Sequence, residues 1–233
     1  QTAAMNCGGG IPGDTTNNEL YDGTCWSEGN NLNTGRQGLV TAREGSNTAA
    51  LVYGGPNSAI TEKWNGTSWT EVNDLLTVTK DGAGAGTSTA ALCMGGDNGP
   101  SGAIYSDVLQ SYDGTSWSAS TAFNTARNQL SGLGTQTEAL IFGGKIPPGT
   151  TLSALTEYWN GSSWTELADL GTGKREAGEA GVVTAALMAG GSAPSDTNTV
   201  EEWNVASPIS IAQEGQVWYN TTSTVLKGYK LTD

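Results

Sequence analysis

The sequence contains no histidine. That excludes imidazole acid–base chemistry, Ser-His-Asp triads and the usual zinc and copper ligand sets. Cations are scarce too: ten Lys and Arg stand against 23 Asp and Glu, for a net charge of −13. Few side chains are then available to replace the counterions of a nucleic acid, and the same deficit disfavours anionic membrane surfaces. Three cysteines, Cys7, Cys25 and Cys93, make no disulfide framework. No apolar run approaches the length of a membrane-spanning helix, and no basic amphipathic helix is visible. No cofactor is expected, and no signal peptide is read at QTAAMNCGG, which already belongs to the repeat described next.

What the chain has in quantity is glycine, 34 residues of it, arranged in a repeat. TAAMNCGG, TAALVYGG, TAALCMGG, TEALIFGG and TAALMAGG each end an apolar run on a glycine pair, opened by Gly8, Gly54, Gly95, Gly143 and Gly190. A second signal follows in phase: ELYDGTCW, EKWNGTSW, QSYDGTSW, EYWNGSSW and a degraded EEWNVASP. A period of roughly 40–50 residues is that of propeller blades. Each copy reads as four short strands: a small-residue inner strand, the glycine-pair strand, a Tyr/Trp strand and an outer Trp strand. The pairs Asp22-Gly23, Asn65-Gly66, Asp113-Gly114 and Asn160-Gly161 predict two-residue type I′ hairpins between the last two. The expectation is one all-β domain, a single five-bladed propeller of antiparallel four-stranded blades over residues 1–213, divided near 31, 75, 122 and 170. Blade 1 lacks an inner strand. The C-terminal segment, residues 214–233, falls outside the repeat and is expected to supply it, with Lys227 in the place of the basic residues that open other blades.

These residues resemble kelch-type repeats, in which a glycine pair ends the second strand and an aromatic and a Trp follow at fixed offsets. More narrowly, the WNGTSWTEV wording and the tail EGQVWYNTTSTVLKGY are similar to structural proteins of marine bacteriophages. The kelch resemblance implies the propeller; a copper radical oxidase of that type would need histidine ligands. The phage resemblance implies a tail-fibre-like protein on the virion surface, outside the cell, whose partners are other virion proteins and a host-surface polysaccharide or receptor.

Catalysis has few candidates. Two carboxylates suffice for glycoside hydrolysis, but Glu19, Glu62, Glu157 and Glu201 recur at one repeat position, and recurrence in every blade points to structure. A non-enzymatic binding module is therefore expected, with a purely structural virion role as the alternative and a polysaccharide-degrading enzyme as the third reading.

Candidate binding residues fall in two groups. Arg36, Lys80, Arg127, Lys174 and Arg175 occur where blades begin. They either line the channel as a positive ring that takes an acidic glycan, or pair with the repeated glutamates; regularity favours pairing. Asn57, Asp97, Asn98, Lys145 and Asp196 lie in the loops after the glycine pairs, which differ most between copies. Variable loops on a rigid scaffold commonly carry recognition. Asp97-Asn98-Gly99 is read as a turn in preference to a calcium loop, so no metal is expected. Trp26, Trp69, Trp117 and Trp164 are expected to pack between blades.

Overall fold

The computed structural model describes residues 3–10, 12–99, 104–149 and 151–204, and the backbone alone at 217–220 and 225–228. Its regular structure is all β. Blade 1 comprises β1 (Ala4–Cys7), β2 (Asn18–Tyr21) and β3 (Trp26–Glu28). Blade 2 comprises β4 (Val40–Thr41), β5 (Ala50–Tyr53), β6 (Thr61–Trp64) and β7 (Trp69–Val72). Blade 3 comprises β8 (Ala83–Gly86), β9 (Ala91–Met94), β10 (Leu109–Tyr112) and β11 (Trp117–Ser120). In blade 4, β12 (Ser131–Gly134) and β13 (Ala139–Phe142) precede a loop hairpin, β14 (Lys145–Ile146) with β15 (Thr151–Leu152). The blade then continues through β16 (Thr156–Trp159) and β17 (Trp164–Glu166). Blade 5 holds β18 (Gly178–Val182) and β19 (Ala185–Ala189), a loop hairpin β20 (Ser192–Ala193) with β21 (Ser195–Asp196), and β22 (Val200–Asn204). The five antiparallel sheets form a five-bladed β-propeller in which the order inner, glycine-pair, Tyr/Trp and outer strand holds.

The core is a series of blade-to-blade layers, which is why the second strands are apolar on both sides. Leu51 and Tyr53 of blade 2 pack on Ala91, Cys93, Tyr112 and Trp117 of blade 3. Leu92 and Leu109 of blade 3 pack on Ala139, Ile141 and Trp159 of blade 4. Leu140 and Phe142 meet Ala186 and Met188 of blade 5, and Met5 and Leu20 of blade 1 meet Ala50, Val52 and Trp69 of blade 2. Polar ends of aromatics bond across the same layers: Tyr53 OH donates to Leu92 O at 2.7 Å, and Trp117 Nε1 to Thr61 Oγ1 at 3.0 Å. Trp69 and Trp117 are buried as expected of interblade residues, but Trp26 is 54% exposed. Its blade 5 counterpart surface is missing: among the described residues no buried cluster joins blade 5 to blade 1.

The glycine pairs are forced by close approach. At Gly54 φ is +74°, and a Cβ would stand 2.1 Å from Thr79 O, closer than any side-chain atom tolerates.

One expectation needs revision. The Asp/Asn-Gly loops hold four residues, since Tyr21 pairs Trp26 and Trp64 pairs Trp69. Only the glycines take positive φ. The Asp or Asn side chain organises the turn instead: Asn65 Oδ1 accepts from Thr67 N and Ser68 N, both at 2.9 Å. Asp22 and Asp113 do the same, and these amide donors hold both carboxyls below the usual carboxylate range. The side chain supplies the bonds that a I′ turn would take from backbone conformation. Beyond blade 5, β23 (Val217–Asn220) and β24 (Val225–Gly228) pair with each other, Lys227 opposite Trp218. The rest of the expected closing strand, residues 229–233, lies outside the described residues.

Candidate binding face

The connections between blades and the loops after the glycine pairs meet on one end of the propeller, because in blades 3, 4 and 5 the entry to the inner strand pairs with the residues just past that blade's own glycine pair. Lys80 bridges Asp97, Asn128 bridges Lys145, and Arg175 bridges Ser192. The register fixes which residues correspond. Val40, Ala83, Ser131 and Gly178 stand opposite Tyr53, Met94, Phe142 and Ala189. Counting back, Arg36, Thr79, Arg127 and Lys174 share one position, and Lys80 and Arg175 fall on the next. Lys80 is therefore not the counterpart of Arg36.

Arg36, Arg127 and Lys174 do not form a channel ring. They are buried, and each pairs with the glutamate of its own blade: Arg36–Glu62 and Arg127–Glu157 at 2.7 Å, Lys174–Glu201 at 2.6 Å. Arg127 donates from Nη1 to Gly143 O and Leu155 O and from Nε to Thr125 O, so the guanidinium also clamps the glycine-pair loop. Burial pushes its pKa down and Glu157 opposes the shift. Glu157 Oε2 accepts from both nitrogens of Asn124, and Glu62 Oε2 likewise from Asn33. Glu201 accepts from Gly171 N; although desolvation acts to raise its pKa, the bonds from Lys174 and Gly171 hold it below the ordinary value. Blade 3 solves the same problem without charge: Thr79 replaces the cation, and Gln110 replaces the acid and accepts from Leu76 N at 2.8 Å. In four blades, then, the incoming linker is pinned to the third strand by one side-chain oxygen.

Nearer the axis lies a set that the sequence did not reveal. Gly38, Asp81, Gln129 and Glu176 share one position, and all four have left-handed φ, between 52° and 59°. Their backbones pass hydrogen bonds from blade to blade: Asp81 N to Gly38 O at 3.1 Å, Gln129 N to Asp81 O at 2.7 Å, and Glu176 N to Gln129 O at 3.1 Å. The side chains surround the mouth of the axial channel, a cavity of about 210 Å³ lined also by Arg43, Ser131 and Glu179. Arg175 Nη1 donates to Gln129 Oε1 at 3.0 Å and Glu176 Oε2 at 2.8 Å, and Arg43 pairs with buried Glu179. Burial raises the pKa of Asp81, partly offset by Lys80 and reinforced by Glu176 and Asp97; burial likewise raises Glu179 against the pull of Arg43. The mouth is a mixed, hydrogen-bonding surface in place of a positive ring. Nothing but the change of residue type from blade to blade, Gly to Asp to Gln to Glu, could have marked it in the sequence.

The loop residues scatter around this mouth. Asn57 is exposed at the tip of a tight turn with φ +55°. Asp97 is buried and works inward, its Oδ1 accepting from Gly99 N and Ile104 N, while Asn98 Nδ2 donates to Ser106 Oγ. Lys145 is half-buried in β14, and Asp196 is exposed in β21. Among the described residues no cluster of three His, Cys, Asp or Glu is placed to hold a metal. No protein-family model matches the chain. No curated protein matches it in sequence either.

Proposed function

We propose that the propeller is a non-enzymatic binding module of a virion surface, tail-fibre-like, which recognises a host-envelope glycan or protein through the face carrying the axial mouth and the loops after the glycine pairs. One observation carries this reading. The repeated charges are consumed inside the blades, while the differences between blades concentrate on one face. There the loop runs from Pro56 to Ile60 in blade 2 but from Asp97 to Val108 in blade 3, and blades 4 and 5 add their own small hairpins. The mouth offers carboxylates, an amide and guanidinium groups, the donor and acceptor mixture that suits sugar hydroxyls. The phage-like wording of the repeats and tail supplies the setting.

The test is retention of the purified domain on bacterial surface polysaccharides (O-chain, capsule and exopolysaccharide), with polymer length measured in parallel. Expected are retention with the polymer intact and loss of retention in a Gln129→Ala, Glu176→Ala variant. Shortened polymer replaces the proposal with an enzyme, and the absence of binding to these polymers and to host cells replaces it with a structural virion component.

A further inference from the structure

Three asparagines precede a glycine in this chain: Asn65-Gly66, Asn98-Gly99 and Asn160-Gly161. Glycine has no side chain to shield its amide, so in each pair that nitrogen can reach the asparagine Cγ. The fold treats the three differently. Asn65 and Asn160 are exposed at the tips of the outer hairpins of blades 2 and 4. There Asn65 Oδ1 accepts from Thr67 N and Ser68 N, both at 2.9 Å. Asn160 Oδ1 accepts from Ser162 N at 2.9 Å and Ser163 N at 2.8 Å. Attack on Cγ drives negative charge onto that oxygen, and two fixed amides aimed at it stabilise the charge as an oxyanion hole does. The nitrogen that must leave lies against a hydroxyl: Asn160 Nδ2 donates to Ser163 Oγ at 3.1 Å, and Asn65 Nδ2 to Ser68 Oγ at 3.4 Å. Among the described residues neither Gly66 N nor Gly161 N donates a hydrogen bond, so both nucleophiles are unengaged. At Asn98 the nucleophile is taken, because buried Gly99 N donates to Asp97 Oδ1 at 3.0 Å. Asn98 Nδ2 is held by Ser106 Oγ at 2.9 Å, and its Oδ1 faces Thr79 Oγ1 in place of a pair of amides.

The same chain displays the product. Asp22 and Asp113 hold the corresponding positions in blades 1 and 3. Asp22 Oδ1 accepts from Thr24 N at 2.8 Å and Cys25 N at 2.9 Å, and Asp113 Oδ1 from Thr115 N and Ser116 N, both at 2.8 Å. The ionised carboxylate is the stronger acceptor for such amides, and they hold both carboxyls below the usual carboxylate range.

We propose that Asn65 and Asn160 are self-modification sites, at which the outer hairpins convert asparagine to aspartate with solvent water as the co-reactant. Gly66 N gives up its proton and bonds to Asn65 Cγ. The Cγ–Nδ2 bond then breaks, and ammonia leaves with that proton, closing a succinimide. Water adds at Cγ, the carbonyl that the two amides polarise. The new Cγ–N bond breaks, restoring the peptide N–H and leaving aspartate; Asn160 and Gly161 react alike. Nothing is oxidised or reduced, and each conversion adds one negative charge to a chain already at −13.

Peptide mapping by mass spectrometry tests the assignment, comparing the folded protein with the same chain unfolded in guanidinium, both in mildly alkaline buffer. Unfolded, the three pairs are expected to react at similar rates. In the folded protein Asn65 and Asn160 are expected to convert at least as fast as when unfolded, and Asn98 about tenfold more slowly than either. The folded product is expected to be mainly aspartate, which an aspartate-specific protease cleaves, with isoaspartate the larger share in guanidinium. Conversion of Asn65 or Asn160 that slows on folding overturns the proposal. So does reaction of Asn98 at their rate, or isoaspartate as the main folded product.

Discussion

Arg127 and Glu157 meet at 2.7 Å with neither side chain exposed, and every nitrogen of the guanidinium donates within one blade. Thr79 and Gln110 fill the same two places in blade 3 without charge. Nature has thus written both halves of a double-mutant experiment into one chain. Glu157→Gln alone strands a buried cation and is expected to cost about 3–5 kcal/mol. Arg127→Thr with Glu157→Gln, the blade 3 solution, is expected to recover most of that loss. Denaturant unfolding of the parent and the two variants measures it; a double variant no better than the single would mean that blade 3 depends on other contacts.

The inner strands tolerate little added volume. A Cβ on Gly84 would lie 2.1 Å from Thr41 O in the neighbouring blade. Gly84→Ala is expected to destabilise by about 1–3 kcal/mol. A melting temperature within a degree of the parent would show that blades 2 and 3 separate easily.

Asp81 and Glu179 have folded-state pKa values raised by burial, so the folded protein binds their protons more tightly than the unfolded chain. Their contribution favours the fold at low pH and declines as pH rises from the ordinary carboxylate range, about 4, through the raised folded values. Asp81→Asn keeps the left-handed backbone, which Asn accepts readily, and removes the titration. Compared with the parent, the variant is expected to gain melting temperature more at pH 7 than at pH 4; an equal gain at both would remove Asp81 from the pH response.

The thiols sort by burial. Burial pushes Cys93 up to about 12 and Cys7 up to about 11, the latter modulated by Arg36 and Glu62. Cys25 is exposed. At pH 8 a disulfide reagent is expected to modify Cys25 within minutes and the other two only after unfolding, because the thiolate is the reacting form. Rapid modification of Cys93 would contradict the closed layer between blades 2 and 3.

Blade number, strand order and the interblade layers were legible because they rest on repetition: apolar residues on both faces of a second strand and a glycine pair at its end leave few alternatives. The assignment of Lys80 failed by one residue, since a cation stands beside Thr79 in the chain and a register shift of one exchanges an inward side chain for an outward one. The four-residue turns were missed because Asp-Gly and Asn-Gly suit both a tight I′ turn and a side-chain-organised one. Asp81, Gln129 and Glu176 were missed because polar residues in left-handed conformation carry no periodic mark; only the ladder reveals that they coincide.

The chain of backbone bonds through Gly38, Asp81, Gln129 and Glu176 has a consequence for how such a protein changes over time. Since the main chain makes these links, the side chains at these positions do not carry them, and three already differ in charge or length. A lineage can therefore exchange them one at a time without breaking the links between blades. What varies from blade to blade at this ring is thereby kept apart from the bonds that tie the blades together.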